Sequence, residues 1–162
     1  MFRTRNNILS IACVVATAAL LESANAISYT FEIAVENAHA SIGPMVSRIK
    51  FDGEVPSESA LTSYYTTNLR EGDIKNMFDS SIEDGNYIAW NKPIPVGTQL
   101  FTIEAESPVS EIEIVNWRPT YAPGWRILED GIEVFKATSN EGDAETPNPA
   151  TYTYTLERAP PS

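Results

Sequence analysis

The chain has 162 residues, with 22 acidic against 11 basic side chains, a formal net charge of −11, one histidine and one cysteine. A balance that negative repels phosphate backbones and anionic headgroups, so nucleic acid and bare membrane are poor partners. A lone histidine leaves no His-based metal cluster to build.

Residues 1–26 have the layout of a secretory signal peptide: Arg3 and Arg5, an apolar run over 8–21, then the small-residue site Ala24-Asn25-Ala26. That run of 14 residues falls short of the roughly 20 needed to span a bilayer. Cleavage and an extracellular location are therefore expected, with no membrane insertion afterwards. Cleavage after Ala26 leaves 136 residues, enough for one domain with one core. The expected organisation is a signal peptide over 1–26, a β-sandwich binding domain over 27–158 and a loose tail over 159–162. Cys13 departs with the signal peptide, so the processed chain has no disulfide and no thiolate ligand or nucleophile. Loss of Arg3, Arg5 and Glu22 takes the 11 basic and 22 acidic residues to 9 and 21, a net charge of −12. No Asn-x-Ser/Thr sequon occurs.

Beyond residue 26 an alternating pattern dominates. Tyr29, Phe31, Ile33 and Val35 share a face, with Thr30, Glu32 and Ala34 on the other. Ile49 and Phe51 alternate with Arg48 and Lys50. The segment 57–84 is the least strand-like; Asp73 is placed to cap one helical turn over 74–78 that packs Met77 and Phe78. Phe101, Ile103 and Ala105 alternate with Thr102 and Glu104, and Tyr152, Tyr154 and Leu156 with Thr153 and Thr155. Asp130-Gly131 between two apolar runs is a hairpin signal, because glycine tolerates positive φ. Residues 140–149 read as a solvated loop. About eight short strands are counted, which predicts an all-β, antiparallel sandwich; a closed barrel would show similar patterning.

The stretch 111–135 concentrates the candidate ligand contacts. Ile112 and Ile114 take one face of its strand, while Glu111 and Glu113 share the other with Val115 and Trp117. The strand ends apolar on both faces, so either a bulge re-aims it or a loop covers its outer side. Pro119 and Pro123 stiffen the next loop, leaving Arg118, Tyr121 and Trp125 little entropy to lose on binding. Aromatic rings beside a guanidinium suit a sugar, whose C–H face stacks while its hydroxyls take directional bonds. The competing reading buries Trp117 and Trp125 in the core and pairs Arg118 with a strand carboxylate. Tyr64 and Tyr65 form a second candidate surface; Trp90 reads as core.

Asp79, Glu83, Asp84 and Asn86 offer hard oxygen ligands, which makes Asp79 and Asp84 a candidate calcium pair. The spacing departs from the EF-hand, with Trp90 where a bidentate glutamate belongs, and a solvated turn is the competing reading. Glu111 and Glu113 project about 6.6 Å apart by strand rise, within glycosidase carboxylate spacing. Nothing signals the raised pKa a catalytic acid needs. His39 is expected in a surface loop.

YTFEI followed by VSRIKFDG is similar to an early strand-then-turn segment of the galactose-binding-like sandwich, the discoidin or coagulation-factor type C family. NMFDSSIEDGNYIAW resembles that family's Phe-Asp, then Gly/Asn, then Trp segment, and FTIEAESPVSEIEIVNWRP its paired strands ending in arginine. The resemblance spans most of 27–157. It implies an eight-stranded jelly-roll-like sandwich with ligand loops clustered at one end, binding glycans and in some members lipid or protein. It also implies structural calcium near Asp79. The motif positions that carry over are Asp79, Trp90 and Arg118, which are more structural than ligand-binding. The disulfide that often pins the family's termini is absent from the processed chain.

The function expected is a secreted, non-catalytic, carbohydrate-binding module that contacts ligand through Arg118, Tyr121 and Trp125, with Tyr64 and Tyr65 as a second set. Its partner is a glycan or an extracellular protein, and no cofactor beyond the candidate calcium is called for. An extracellular structural or protein-interaction domain is the alternative, and a glycoside hydrolase the third reading.

Overall fold

The computed structural model describes residues 25–82 and 86–158. Among them are eleven strands: β1 (Ile27–Val35), β2 (Ile42–Val46), β3 (Arg48–Phe51), β4 (Leu61–Tyr64), β5 (Leu69–Gly72), β6 (Ile88–Asn91), β7 (Gln99–Ala105), β8 (Glu111–Asn116), β9 (Gly124–Glu129), β10 (Ile132–Lys136) and β11 (Ala150–Thr155). One layer is five-stranded, in the order β10-β9-β1-β7-β4. Facing it are two three-stranded sheets, β11-β8-β3 and β2-β6-β5. Only Ser47 separates β2 from β3. Its N–H donates to the Val115 carbonyl at 2.8 Å and its Oγ accepts from the Trp117 N–H at 2.9 Å, tying the two small sheets together. All the pairings are antiparallel, and the molecule is an all-β sandwich.

The alternation read from the sequence is what fills the interior. Tyr29, Phe31 and Ile33 are buried while Thr30 and Glu32 lie on the opposite face of β1. Phe31, Ile103, Ile112 and Tyr154, drawn from four strands and both layers, belong to one core cluster. Phe31 stacks on Phe101 at 4.5 Å between ring centroids and meets the Trp125 edge at 6.1 Å. Each such side chain removed from water contributes about 1.5–3 kcal/mol. The Asp130-Gly131 turn has φ of 49° and 82° and pairs Glu129 with Ile132, the two-residue hairpin expected of this dipeptide.

The strand count of about eight is corrected to eleven. Much of the excess comes from 57–84, which yields β4 and β5 together with a short helical turn at Glu58–Ala60. All four residues of β5 are exposed, as are three of the four in β4. Both are edge strands with no core face to write as alternation. The capped turn is where it was expected: Ile74–Phe78 is a short 3-10 helix, and the Asp73 carboxylate accepts the Lys75 N–H at 3.0 Å. Met77 is fully buried beneath it, and half-buried Phe78 packs on the same core.

Candidate functional site

Strand β8 pairs with β3 and β11 without a bulge, and the loop that follows it covers the outer face of the neighbouring β2-β6-β5 sheet. Residues 117–123 fold back over the sheet, and Tyr121 packs with Met45 and Ala89 in a small second apolar cluster flanked by Ile42, Tyr87 and Trp117. Pro119 begins a short 3-10 turn, Pro119–Tyr121, with Arg118 at its N-cap position. The Thr120 carbonyl accepts both the His39 N–H at 3.1 Å and the side-chain amide of buried Asn37 at 3.2 Å. Asn37 also donates to the Ile42 carbonyl at 2.9 Å. The loop is thus fastened at several points before any ligand arrives.

A second loop closes against it. A side chain at Gly142 would lie 2.4 Å from both the Pro119 carbonyl oxygen and the Tyr152 hydroxyl, so only glycine permits this approach. The two loops enclose a cleft of about 200 Å³. Arg118, Thr120 and Tyr121 line one wall; Asp143, Thr146 and Asn148 line the other. Asp143 is held by its own loop, its Oδ1 accepting the Thr146 hydroxyl and N–H, each at 2.9 Å, and the Glu145 N–H at 3.0 Å. Those bonds, the Thr146 hydroxyl foremost, lower the Asp143 pKa and keep it ionised. Neighbouring Glu141 is raised instead, by burial.

Arg118 is exposed; its carbonyl accepts the Tyr121 N–H at 3.0 Å, and its side chain forms no hydrogen bond or ion pair with a described residue. The other described arginines are committed: Arg48 to the Ser80 carbonyl, Arg70 to Glu71, Arg126 to Glu32 and Glu133, and Arg158 to Glu129, Tyr29 and Val109. The Glu71 pKa is lowered chiefly by hydrogen bonds from Arg70 and Tyr87, with the more distant Arg118 charge a minor contributor.

The structure separates the other residues singled out from the sequence. Trp125 is fully buried, edge-on to Phe31 and Phe101, so its ring has no face for a ligand; the contact expected of it is corrected to a core role. Tyr121 is 8% exposed, with its ring 4.8 Å from His39, and it contributes an edge to the cleft rather than a stacking platform. His39 is half-buried, and its Nδ1 accepts the Ile42 N–H at 2.9 Å. Tyr64 is exposed on the edge strand β4, whereas Tyr65 packs partly on the core; neither lines the cleft. Trp90 is core, its Nε1 donating to the Tyr65 carbonyl at 2.8 Å. Asp79 is exposed and accepts the Ser81 N–H at 2.9 Å, as a turn residue does. Glu83 and Asp84 of the calcium reading lie outside the described residues. Among the described residues no group of three or more acidic, histidine or cysteine side chains gathers around a metal position. Glu113 is ion-paired with Lys50 at 3.4 Å, and neither it nor Glu111 lines the cleft.

No protein-family model matches the chain, and no curated protein or solved structure is significantly similar to it. The fold and its clefts are therefore the ground for a functional reading.

A second, larger depression escaped the sequence reading. It holds about 600 Å³ between the 51–60 segment and the end of β7. Phe51, Val55, Ala60 and Val109 form its apolar floor. Glu54, Glu104 and Glu106 stand around it, and no lysine or arginine lines it. Alternation in β7 places Glu104 correctly, but nothing local brings Glu54 to it across fifty residues of chain.

Proposed function

We propose that the protein is a secreted, non-catalytic binding module that takes a carbohydrate in the cleft between residues 117–123 and 140–149. The observation that carries this reading is Arg118. Its guanidinium forms no hydrogen bond or ion pair with a described residue, and Arg118 lines a preformed gap together with Asp143, whose carboxyl is held ionised, and the neutral polar Thr146 and Asn148. A sugar hydroxyl both donates and accepts, so adjacent hydroxyls can bridge Arg118 to Asp143 and Thr146. The volume of about 200 Å³ is below the roughly 300–1,000 Å³ of drug-sized pockets, which suits a single sugar ring or a chain terminus. A lone site of this size binds modestly and gains from multivalency. Buried Trp125 and Tyr121 remove extensive ring stacking from the mechanism, leaving polar contacts to set specificity.

Other features support the same reading. An antiparallel sandwich with loops meeting at the end of β8 agrees with the architecture that the galactose-binding-like resemblance implies. Asn25 and Ala26 are exposed ahead of β1, which suits a cleavage site between a leader and a folded domain. The lysine holding Glu113 favours binding over glycoside hydrolysis, because that carboxylate serves the sheet. A glycan array followed by titration calorimetry tests the proposal. Arg118→Ala is expected to lower affinity at least about tenfold, as loss of a charged hydrogen bond does, with an unchanged melting temperature. Array binding that survives Arg118→Ala intact would overturn the assignment of this cleft. A silent array together with self-association would favour the structural alternative.

A further inference from the structure

The larger depression is independent of the carbohydrate cleft, and its chemistry differs. Glu54, Glu104 and Glu106 form no side-chain hydrogen bond or ion pair with a described residue. Elsewhere Glu32, Glu36, Glu58, Glu113, Glu129 and Glu133 are paired with lysine or arginine, and the other described glutamates left without such a partner, Glu111, Glu141, Glu145 and Glu157, do not line the groove. Asp52 borders the same groove but is already used, accepting the Ser110 N–H at 3.0 Å and the Glu111 N–H at 2.8 Å. Three uncommitted carboxylates around one apolar floor repel one another, and a cation placed among them relieves that repulsion. Charge alone would hold any counterion. The floor adds a second requirement, since half-buried Val55, Pro56, Ala60 and Ala105 leave apolar surface that an apolar side chain laid over them would remove from water.

We propose that this groove docks an extended basic peptide segment of a partner protein, with lysine or arginine side chains on Glu54, Glu104 and Glu106 and an intervening apolar side chain on the floor. The alternating basic and apolar character of such a segment matches the alternation of rim and floor. The groove also favours a different chain over a second copy, because this protein's own surface is strongly acidic. Ala26 lies at one end of the groove. If the leader is cut there, the new Ile27 ammonium leaves the three carboxylates in excess.

Fluorescence anisotropy with a labelled Lys-Leu-Lys-Leu-Lys amide tests the proposal at low ionic strength. The parent protein is expected to bind it, more weakly as salt rises. The double variant Glu104→Gln with Glu106→Gln is expected to bind at least about fivefold less well, with its melting temperature unchanged because neither carboxylate has a structural bond. Glu145→Gln, removing an exposed charge that does not line the groove, and Arg118→Ala should leave the affinity as it was. A Lys-Ser-Lys-Ser-Lys amide should bind about tenfold more weakly for want of apolar burial. Equal binding of the two peptides would mean diffuse counterion attraction and would sink the proposal. So would undiminished binding by the double variant, or no binding by the parent protein.

Discussion

The Arg118 cleft and the Glu104 groove are both lined from distant parts of the chain, yet they differ in charge and volume. The first is lined by residues of both signs, Arg118 and Asp143, and has polar walls; the second collects one sign of charge over apolar side chains. The contrast teaches that a net charge of −11 says little about where binding happens. Seven acidic side chains of the sandwich, Glu32, Glu36, Glu58, Glu71, Glu113, Glu129 and Glu133, are spent on lysine and arginine partners. What matters is which charges the fold leaves unspent, and in what company.

The largest expected effect tests the core on which both surfaces rest. Trp125→Ala is expected to cost about 3–5 kcal/mol, read by urea unfolding, and to weaken binding at both places together. If Trp125 were a ligand platform, stability would survive and only the cleft would suffer. Gly142→Ala should separate the two regions. Its methyl group meets the Pro119 carbonyl and Tyr152 hydroxyl at 2.4 Å, so the loops must part at a cost of about 1–3 kcal/mol. Glycan affinity should fall while the basic peptide binds as before.

The smallest effect concerns pH and the cleft alone. Glu141 lies two residues from Asp143, with its pKa raised by burial, and its charge helps raise that of Tyr152 to about 12, behind burial itself. A carboxyl with a raised folded value holds its proton more tightly folded than unfolded. Its stabilising contribution is therefore complete in acid and is lost as pH rises through the raised value. Glu141→Gln should raise the melting temperature slightly at pH 7 and leave it unchanged at low pH. Asp143 carries the opposite sign: its lowered value adds stability that disappears as pH falls through it. Asp143→Asn should therefore destabilise at pH 7 and matter less in acid.

Alternation made β1, β3, β7, β8 and β11 legible, because a strand with one face in the core writes a period of two into the sequence. Turn chemistry made Asp130-Gly131 and the Asp73 cap legible, since both act within four residues of chain. Of the apolar pair on the outer face of β8, Trp117 borders the cluster that the following loop forms over β2 and β6, and Val115 does not. The edge strands β4 and β5 were not legible, because exposed residues on both faces carry no pattern. Nor was the orientation of Trp125, whose neighbours are Phe31 and Phe101 from other strands.

By itself, then, the order of residues determined an antiparallel sandwich and the identity of its interior, because those follow from interactions repeated every second position along a strand. Tertiary structure alone decided that Arg118 would share a cleft with Asp143, that Tyr121 would turn inward, and that Glu54 would join Glu104 and Glu106. Those meetings depend on how separate strands and loops come to rest against one another. No local periodicity encodes them, since each partner's own neighbours in the chain are indifferent to the encounter.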